Sequence, residues 1–455
     1  MTGLLVYSDE KKAAQVQEAV KHLCSFEPVP FDAFSPAMLE NHDYIMADWK
    51  LKDELFDCLY GKMNLGIGFF HELFMSDIDD VEGLLETEKK ARAQHRWDIC
   101  KGINSFLIYG DIIRKRLILN GKPSRIQIET TDLCNARCIM CSHAYNRGTG
   151  TDILESGIIP RIEPILPYVK TIVLHGNGEP FLKKNLTQYL RQFSEYHISF
   201  ITNTNLSIVN DEILHALRSY FIELNVSCDA HEKELYEMIR EGLKFDTFVE
   251  NVKRVRKACP DLLMKMNVVV MRQNLPHLSE IVRFAAELGF DEVIFNQLCV
   301  DAKNNNLEDD PYLYPNLYMG NMEKAVQEAE KSKIVIRFPQ LTALESDTDP
   351  DSQATPSSCA VFRGICDWLV ESPYINLQGD VAFCCMNQTK ILGNIFRDDM
   401  ERIWNNSAYQ RLRGDFHNAR LNIWCQGCDF MLQDRLQYLK LLSSDPNSIR
   451  KVGRS

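Results

Sequence analysis

Three cysteines within eight residues, in Leu133-Cys134-Asn135-Ala136-Arg137-Cys138-Ile139-Met140-Cys141, constrain this chain more than any other feature. They follow directly on the strand-like run Arg125-Ile126-Gln127-Ile128-Glu129-Thr130, so the fold must deliver a loop of soft ligands from the end of a strand. Thiolates at C-x3-C-x2-C spacing suit an iron–sulfur cluster. A cubane held by three of them keeps one iron open for a small molecule. The alternative is a zinc knuckle that adds a neighbour such as His143, with Cys138 and Cys141 as its C-x2-C pair. Nothing else nearby follows zinc-site spacing, which favours the cluster.

The 455 residues suit two or three domains, and a 45% hydrophobic content is ample for buried cores. No apolar run reaches the length of a membrane span, and no leader-like segment opens the sequence, so the expected location is cytoplasmic. Fifteen cysteines are an odd number for a disulfide framework and point to metal ligands plus buried thiols in a reducing compartment. A formal net charge of −12 argues against nucleic acid or an anionic membrane as the main partner.

Residues 1–115 read as an N-terminal α/β domain of unknown role. It has strand candidates at Gly3–Ser8 and Asp43–Trp49, and a helix from Asp9 to Leu23 that Asp9 can cap. The charged run Glu86–Arg96 reads as a solvated helix face, leading through Ile103–Leu119 into the cysteine region. From 120 to 300, short β-rich runs alternate with amphipathic helices. The strand candidates are Arg125–Thr130, Thr171–His175, Ile198–Thr202, Ile222–Ser227, Met266–Val270 and Glu292–Phe295. The clearest unit places Leu278, Ile281, Val282, Ala285 and Leu288 at helical spacing, with Gly289 ending the helix. Periodicity alone allows either a partial (βα)6 TIM-like barrel or a flat doubly wound sheet. Residues 301–358 form a connecting segment with a helix and a strand candidate, Ile334–Phe338. Residues 359–455 are a small, cysteine-rich C-terminal domain.

The cysteine spacing after a strand resembles the signature of the radical S-adenosylmethionine (SAM) superfamily, which favours the partial barrel. Gly176-Asn177-Gly178-Glu179-Pro180, after the strand candidate Thr171–His175, resembles the family's Gly-Gly-Glu-Pro turn that holds the SAM amino group, although Asn177 stands between the glycines. Thr202, Asn203, Ser227 and Asp229, at or just past the carboxyl ends of strand candidates, are similar to positions that contact the ribose and methionine parts of SAM in relatives. Arg240 resembles an arginine that pairs with the SAM carboxylate; an exposed helix arginine is the plain alternative.

A second group, Cys366, Cys384, Cys385, Cys425 and Cys428, is interleaved with Gly379-Asp380, Gly393-Asn394 and Trp404. This order resembles the SPASM/twitch extension, in which Cys366, Cys384, Cys425 and Cys428 would ligate an auxiliary [4Fe-4S] cluster. Cys385 and Cys359 stand as doubtful alternatives, and a structural zinc site with the same four ligands is the bland reading. No cysteine follows Cys428, which suits the shorter form with one auxiliary cluster acting in electron relay.

The resemblance implies a radical SAM enzyme that reductively cleaves SAM to a 5′-deoxyadenosyl radical and abstracts a substrate hydrogen. Its cofactors would be a SAM-binding [4Fe-4S] cluster, a second auxiliary [4Fe-4S] cluster and SAM, with flavodoxin or ferredoxin as electron donor. The substrate expectation is a small polyhydroxylated molecule undergoing oxidation, deoxygenation or epimerisation, with a ribosomally made peptide as the alternative. A non-catalytic zinc or electron-transfer protein is the competing class. Tyr145, Asn146, Arg147 and Gln297 are candidates to face the substrate. Trp49, Trp97, Trp368, Trp404 and Trp424 read as packing residues, and Cys24, Cys58, Cys100, Cys228, Cys259 and Cys299 as inert thiols.

Overall fold

The computed structural model describes residues 2–7, 10, 14, 25–35, 38, 44–48, 66–70, 81–141, 150–153, 155–298, 307–338, 366–385, 390–418, 420 and 425. The chain forms two units, Met1–Arg114 and Lys115–Ser455. The first holds four parallel strands, β1 (Thr2–Tyr7), β2 (Ser25–Pro30), β3 (Tyr44–Asp48) and β4 (Gly66–Phe70), in the order β2-β1-β3-β4. Parallel neighbours require crossover connections, which makes this an α/β layout. The pattern reading missed β2 and β4. Pro28 and Pro30 argue against a strand, but β2 lies at a sheet edge, where a missing N–H is tolerated. Most of the expected Asp9–Leu23 helix lies outside the described residues. Helices Val81–Ala93 and Trp97–Ile113 follow, with Ala91, Trp97, Cys100, Ile103 and Leu107 buried.

The second unit has, in chain order, β5 (Arg125–Ile128), β6 (Arg137–Cys138), β7 (Thr171–Val173), β8 (Ser199–Thr204), β9 (Phe221–Ser227), β10 (Arg240–Glu241), β11 (Leu263–Val270), β12 (Glu292–Gln297) and β13 (Val335–Arg337). It ends with β14 (Tyr374–Ile375), β15 (Asp380–Ala382) and β16 (Ile391–Asn394). Strands β6 and β10 pair with each other, and the rest form one ten-stranded sheet in the order β13-β12-β11-β9-β8-β7-β5-β14-β15-β16. All neighbours from β13 to β14 are parallel, and β14–β16 form an antiparallel meander. The C-terminal strands therefore extend the barrel sheet.

Register shows why the sheet has two different faces. Ile126, Ile172 and Phe200 lie side by side and are fully buried. Phe200 packs edge-on against Phe193 and Tyr220 of the flanking helical layer. Helix Leu278–Glu287 covers the same layer with Leu278, Ile281, Val282 and Ala285, and Gly289 ends it at φ +79°. The opposite residues of the same strands, including Gln127, Asn203, Asn225, Lys265, Asn267 and Asn296, point into the barrel interior. There Lys265 bridges Glu223 at 2.8 Å and Glu292 at 3.5 Å, and Arg337 pairs with Glu292, so charges alternate across four strands. Alternation offsets the cost of burying each charge.

A buried arginine fastens the C-terminal helices to the segment before β5. Asn406 caps helix Ser407–His417 by accepting from Ala408 N and Tyr409 N. Arg413 within it is fully buried, sits 4.8 Å over the Trp404 ring and 4.9 Å over Tyr409, and donates to the carbonyls of Leu369, Leu117 and Trp404 and to Asn405 Oδ1. Trp404 Nε1 donates to Gly121 O, and Asn405 bonds both backbone groups of Leu119. Trp404 and Trp97 thus serve packing, while Trp49 and Trp424 lie outside the described residues. Truncation of Arg413 leaves several buried carbonyls unpaired. Arg413→Ala is expected to lower stability by about 3 kcal/mol or more. Guanidinium unfolding of the full chain checks this, and a loss under about 1 kcal/mol would contradict the fastening role.

Candidate active site

The cysteine loop is tied down on each side. Cys141 N closes a turn on Cys138 O at 3.0 Å, and β6 pairs antiparallel with β10, setting Cys138 opposite Arg240. Asn135 donates to Ser207 Oγ and accepts from Asn205 Nδ2, which links the loop to the segment after β8. Leu133 O accepts from Glu179 N at 2.8 Å, one residue before Cys134. Burial pushes the Cys134 thiol up to about 11, against a backbone hydrogen bond that pulls it down, and the charges of Cys138 and Cys141 reach it. Burial also raises Cys138, against the pull of the Arg240 guanidinium.

These three clustered, desolvated thiols fit the soft donor set of an iron–sulfur cluster, whose charge would hold them as thiolates. Among the described residues, no three His, Cys, Asp or Glu side chains converge on one ion position. His143 lies outside the described residues.

The Gly-Asn-Gly-Glu-Pro turn is shaped by close approach. A Cβ at Gly178 would stand 2.2 Å from Thr131 O, and one at Gly176 would stand 2.6 Å from the Glu129 side chain. Glu129, at the carboxyl end of β5, accepts from Asn177 N at 2.8 Å and from Leu377 N at 3.2 Å. Pro180 starts a buried 3-10 turn capped by Glu179. Glu179 itself is buried, and its carboxylate accepts from Thr204 Oγ1 (2.6 Å), Asn205 N (2.7 Å) and Phe181 N (3.1 Å). Burial raises its pKa against those bonds.

The remaining sequence candidates divide by strand face. Asn203 and Ser227 fall on the interior face, whereas Thr202 faces the helical layer, fully buried, with its hydroxyl bonded to Leu174 O and Asn203 O. That placement corrects the expectation that Thr202 meets a ligand. Arg240 is not an exposed helix residue. It follows helix Lys233–Ile239, is buried, pairs with Asp229 at 2.6 Å and approaches Cys138 Sγ at 3.7 Å, while its Nε is sealed without a hydrogen bond. Asp229 also accepts from Val269 N, which anchors the pair to β11. Gln297 shares the helix-packed face of Val293 and Phe295, so Asn296 takes the interior place.

Of the second cysteine group, Cys384 and Cys425 are buried and Cys366 is half-buried. Cys385 contacts both Cys384 and Gln127 of β5; the Cys384 contact and burial push its thiol well up, against the Gln127 hydrogen bond, which pulls it down. Cys428, Cys359, Tyr145, Asn146 and Arg147 lie outside the described residues, as do Cys24, Cys58 and Cys299. Cys100, Cys228 and Cys259 are buried thiols. Pattern reading passed over Gln127, Glu129, His175 and Asn205. The available signal was a polar residue at every second position of an otherwise apolar strand, Gln127 and Glu129 between Ile126, Ile128 and Thr130.

Comparison with known proteins agrees with this layout. The family described as Radical SAM superfamily matches residues 128–285, and the SPASM family, an iron–sulfur cluster-binding domain, matches 366–429. The chain is 23% identical over 297 residues to the mycofactocin maturase MftC of Mycolicibacterium smegmatis, covering 64% of this chain and 72% of that protein. It is 26% identical over 171 residues to a probable GTP 3′,8-cyclase of Sulfurisphaera tokodaii, covering 37% of this chain and 54% of that one, so the chain spans about half the length of such relatives. Among solved structures, Streptococcus suis SuiB bound to S-adenosylmethionine superposes with a TM-score of 0.52 at 16% identity, over 70% of this chain and 73% of that one. Native anSMEcpe with AdoMet and a peptide gives 0.51 at 15%, over 73% of this chain and 99% of that one. At these identities the likeness is one of fold. Among the described residues no helix is long and apolar enough to cross a membrane.

Two outcomes follow from the packing. Gly178→Ala must displace the backbone at Thr131 and is expected to cost about 2 kcal/mol or more. Gly320→Ala, on a helix with no atom within 4 Å of the added methyl, is expected to gain up to about 1 kcal/mol. Denaturant titration of both variants checks the contrast, and equal effects would contradict it. His175 is held down to about 4 by burial, so the unfolded chain takes up this proton first. The stability it contributes is present above pH 6.5 and lost as pH falls toward 4. Between pH 7 and 5 the wild type should lose about 2 kcal/mol more than His175→Phe; parallel slopes in the two proteins would refute this.

Proposed function

Since the chain belongs to the radical SAM superfamily and carries a SPASM-type iron–sulfur domain, we propose that it is an enzyme that cleaves S-adenosylmethionine reductively and abstracts hydrogen from a polar substrate. The observation that carries this reading is the direct bond from the glycine turn to the cysteine loop, Glu179 N to Leu133 O, which brings a SAM-type turn against a three-thiol loop. When bound, the cluster and SAM supply a one-electron cleavage whose product, the 5′-deoxyadenosyl radical, removes a hydrogen atom from carbon. The chain's own residues orient and seal. Cys134, Cys138 and Cys141 hold the cluster, while Gly176, Gly178, Glu179 and Pro180 shape the turn for the SAM amino group. Arg240, with one sealed N–H still unbonded, faces the SAM carboxylate, and Asn203, Ser227 and Asp229 line the remaining contact. Fixed groups of this kind contribute through orientation and exclusion of water.

Cys366, Cys384, Cys425 and Cys428 hold the auxiliary cluster, fully ligated by protein and suited to electron relay, with flavodoxin or ferredoxin as donor. For the substrate, the amides of Asn203, Asn225, Asn267 and Asn296 on the interior face favour a molecule rich in hydrogen-bonding groups, such as a polyhydroxylated compound. A peptide is the second reading. It is favoured by the maturase match, which runs over 297 residues, and by the fold shared with SuiB, solved with its precursor peptide.

The test is release of 5′-deoxyadenosine from SAM under dithionite. Wild type should release it, and Cys134→Ala, Cys138→Ala and Cys141→Ala should fall to background. Equal release from all four proteins would overturn the reading. Cys425→Ala and Cys428→Ala should still bind SAM while substrate turnover drops at least about 10-fold. Full activity with undiminished iron in those variants would remove the auxiliary cluster from the scheme.

A further inference from the structure

The interior wall built from β5, β7 and β14 holds three polar atoms that are sealed from water and make no close hydrogen bond among the described residues. They are Oε1 of Gln127, Nδ1 of His175 and the hydroxyl of Tyr374. The three share one patch. Tyr374 pairs in register with Gln127, so both side chains project to the same face. His175 stands two residues past Val173, itself paired with Gln127, and its carbonyl accepts from Gln127 Nε2 at 2.8 Å. Glu129 borders the patch, with its oxygens bonded to Asn177 N and Leu377 N, and its carboxylate also reaches the Tyr374 hydroxyl as a weak acceptor, leaving that oxygen's lone pairs open. Cys385 borders it from the other side.

Buried polar atoms without partners are uncommon and destabilising, and three together on the interior wall of a barrel mark a place a ligand completes. Their chemistry limits that ligand. The Gln127 amide nitrogen is already used, so its oxygen is left to accept. The Tyr374 hydroxyl donates or accepts, and His175 offers a neutral imidazole nitrogen. Burial holds His175 neutral down to about pH 4, so its ring enters the patch as an uncharged imidazole. The patch also lies between the two cysteine groups, since β5 leads to Cys134 and β15 leads to Cys384.

We propose that Gln127, His175 and Tyr374 form a substrate subsite that takes a neutral group able both to donate and to accept a hydrogen bond, as an amide or a pair of hydroxyls does. This inference rests on the enzyme reading above and names the chemistry of the substrate at that same site. Gln127 Oε1 takes the ligand's donor hydrogen, while Tyr374 and His175 serve its second polar atom.

The reconstituted, SAM-loaded protein is titrated anaerobically with N-acetylglycinamide as the amide probe and myo-inositol as the polyol probe, with acetate and ethylammonium as charged controls, and binding is read by saturation-transfer NMR. The expected result is that a neutral probe binds at millimolar concentration and the charged controls do not. Tyr374→Phe and His175→Phe should each weaken that binding at least about 5-fold. The melting temperature of ligand-free Tyr374→Phe should stay within a few degrees of wild type, because the deleted hydroxyl makes only the weak contact to Glu129 there; a purely structural hydroxyl would give a larger fall. Binding of N-acetylglycinamide alone assigns a peptide source, and of myo-inositol alone a polyol. The subsite is overturned if neither neutral probe binds, if acetate or ethylammonium binds equally well, or if both variants bind as wild type does. A protein that cleaves SAM yet binds neither probe loses only the subsite. One that binds a probe yet leaves SAM intact loses the enzyme reading instead.

Discussion

The contact between the glycine turn and the cysteine loop is what the rest of the second unit serves. Gly178 approaches Thr131 and Leu133 so closely that no side chain fits, and Glu179 N then reaches Leu133 O. That approach fixes the turn beside Cys134 through backbone atoms alone, independent of rotamers. Other elements keep it in place. Glu129 holds Asn177 N from below, and Glu179 reaches outward to Thr204 and Asn205, which return through Asn135 to the cysteine loop. The result is a closed ring of hydrogen bonds through β5, the turn after β7 and the end of β8. Displacement of one member disturbs all the others, and cooperative polar networks of this kind rigidify a site.

The sheet separates stability from chemistry by side-chain parity. The helix-covered face of β5, β7, β8, β9, β11 and β12 is mostly apolar and buried, with Ile126, Ile172, Phe200, Leu224, Met266 and Val293 among its residues, and hydrophobic burial of about 25 cal/mol per Å² supplies the driving force there. The opposite face keeps some apolar residues, such as Val173 and Ile201, but carries the amides and charges that a helix-covered face would not tolerate. This division explains why Thr202 and Asn203, adjacent in sequence, play different parts: the first closes on carbonyls and the second opens inward. The alternating charges Glu223, Lys265, Glu292 and Arg337 lie on the interior side for the same reason.

Much of the second unit was legible because its signals are periodic. Helix Leu278–Glu287 buries four of the five residues its spacing picks out within its length, with Leu288 following at its end, and each expected strand from β5 to β12 appears within a few residues of its expected place. The cysteine and glycine motifs were legible because their chemistry requires fixed spacing. Glu129 and His175 were not. A buried carboxylate and a sealed imidazole carry no periodic signature and gain meaning only when register sets them beside Asn177 and Gln127. The exposure of Arg240 was left open because its environment comes from Asp229 and Cys138, which no helical spacing places beside it. Strand β2, with two prolines, shows the same dependence, since its edge position excuses what its composition forbids.

Sheet continuity also sets how the two cysteine groups relate. Strand β5 pairs with β7 on one side and β14 on the other, so the strand that feeds Cys134 is a direct neighbour of the meander that feeds Cys384. A hinge between a barrel and an appended domain would let the distance between two metal sites drift. A shared sheet holds it through backbone hydrogen bonds: Gln127 N to Pro373 O and Glu129 N to Ile375 O, both at 2.9 Å. Arg413, Trp404 and Asn405 secure the other end of this connection at Leu117, Leu119 and Gly121, just before β5 begins. β5 is thus held from its approach segment, from both lateral neighbours and from Glu129 at its exit. The polar patch of Gln127, His175 and Tyr374 lies on the wall these same strands build, so what fixes β5 fixes that patch as well.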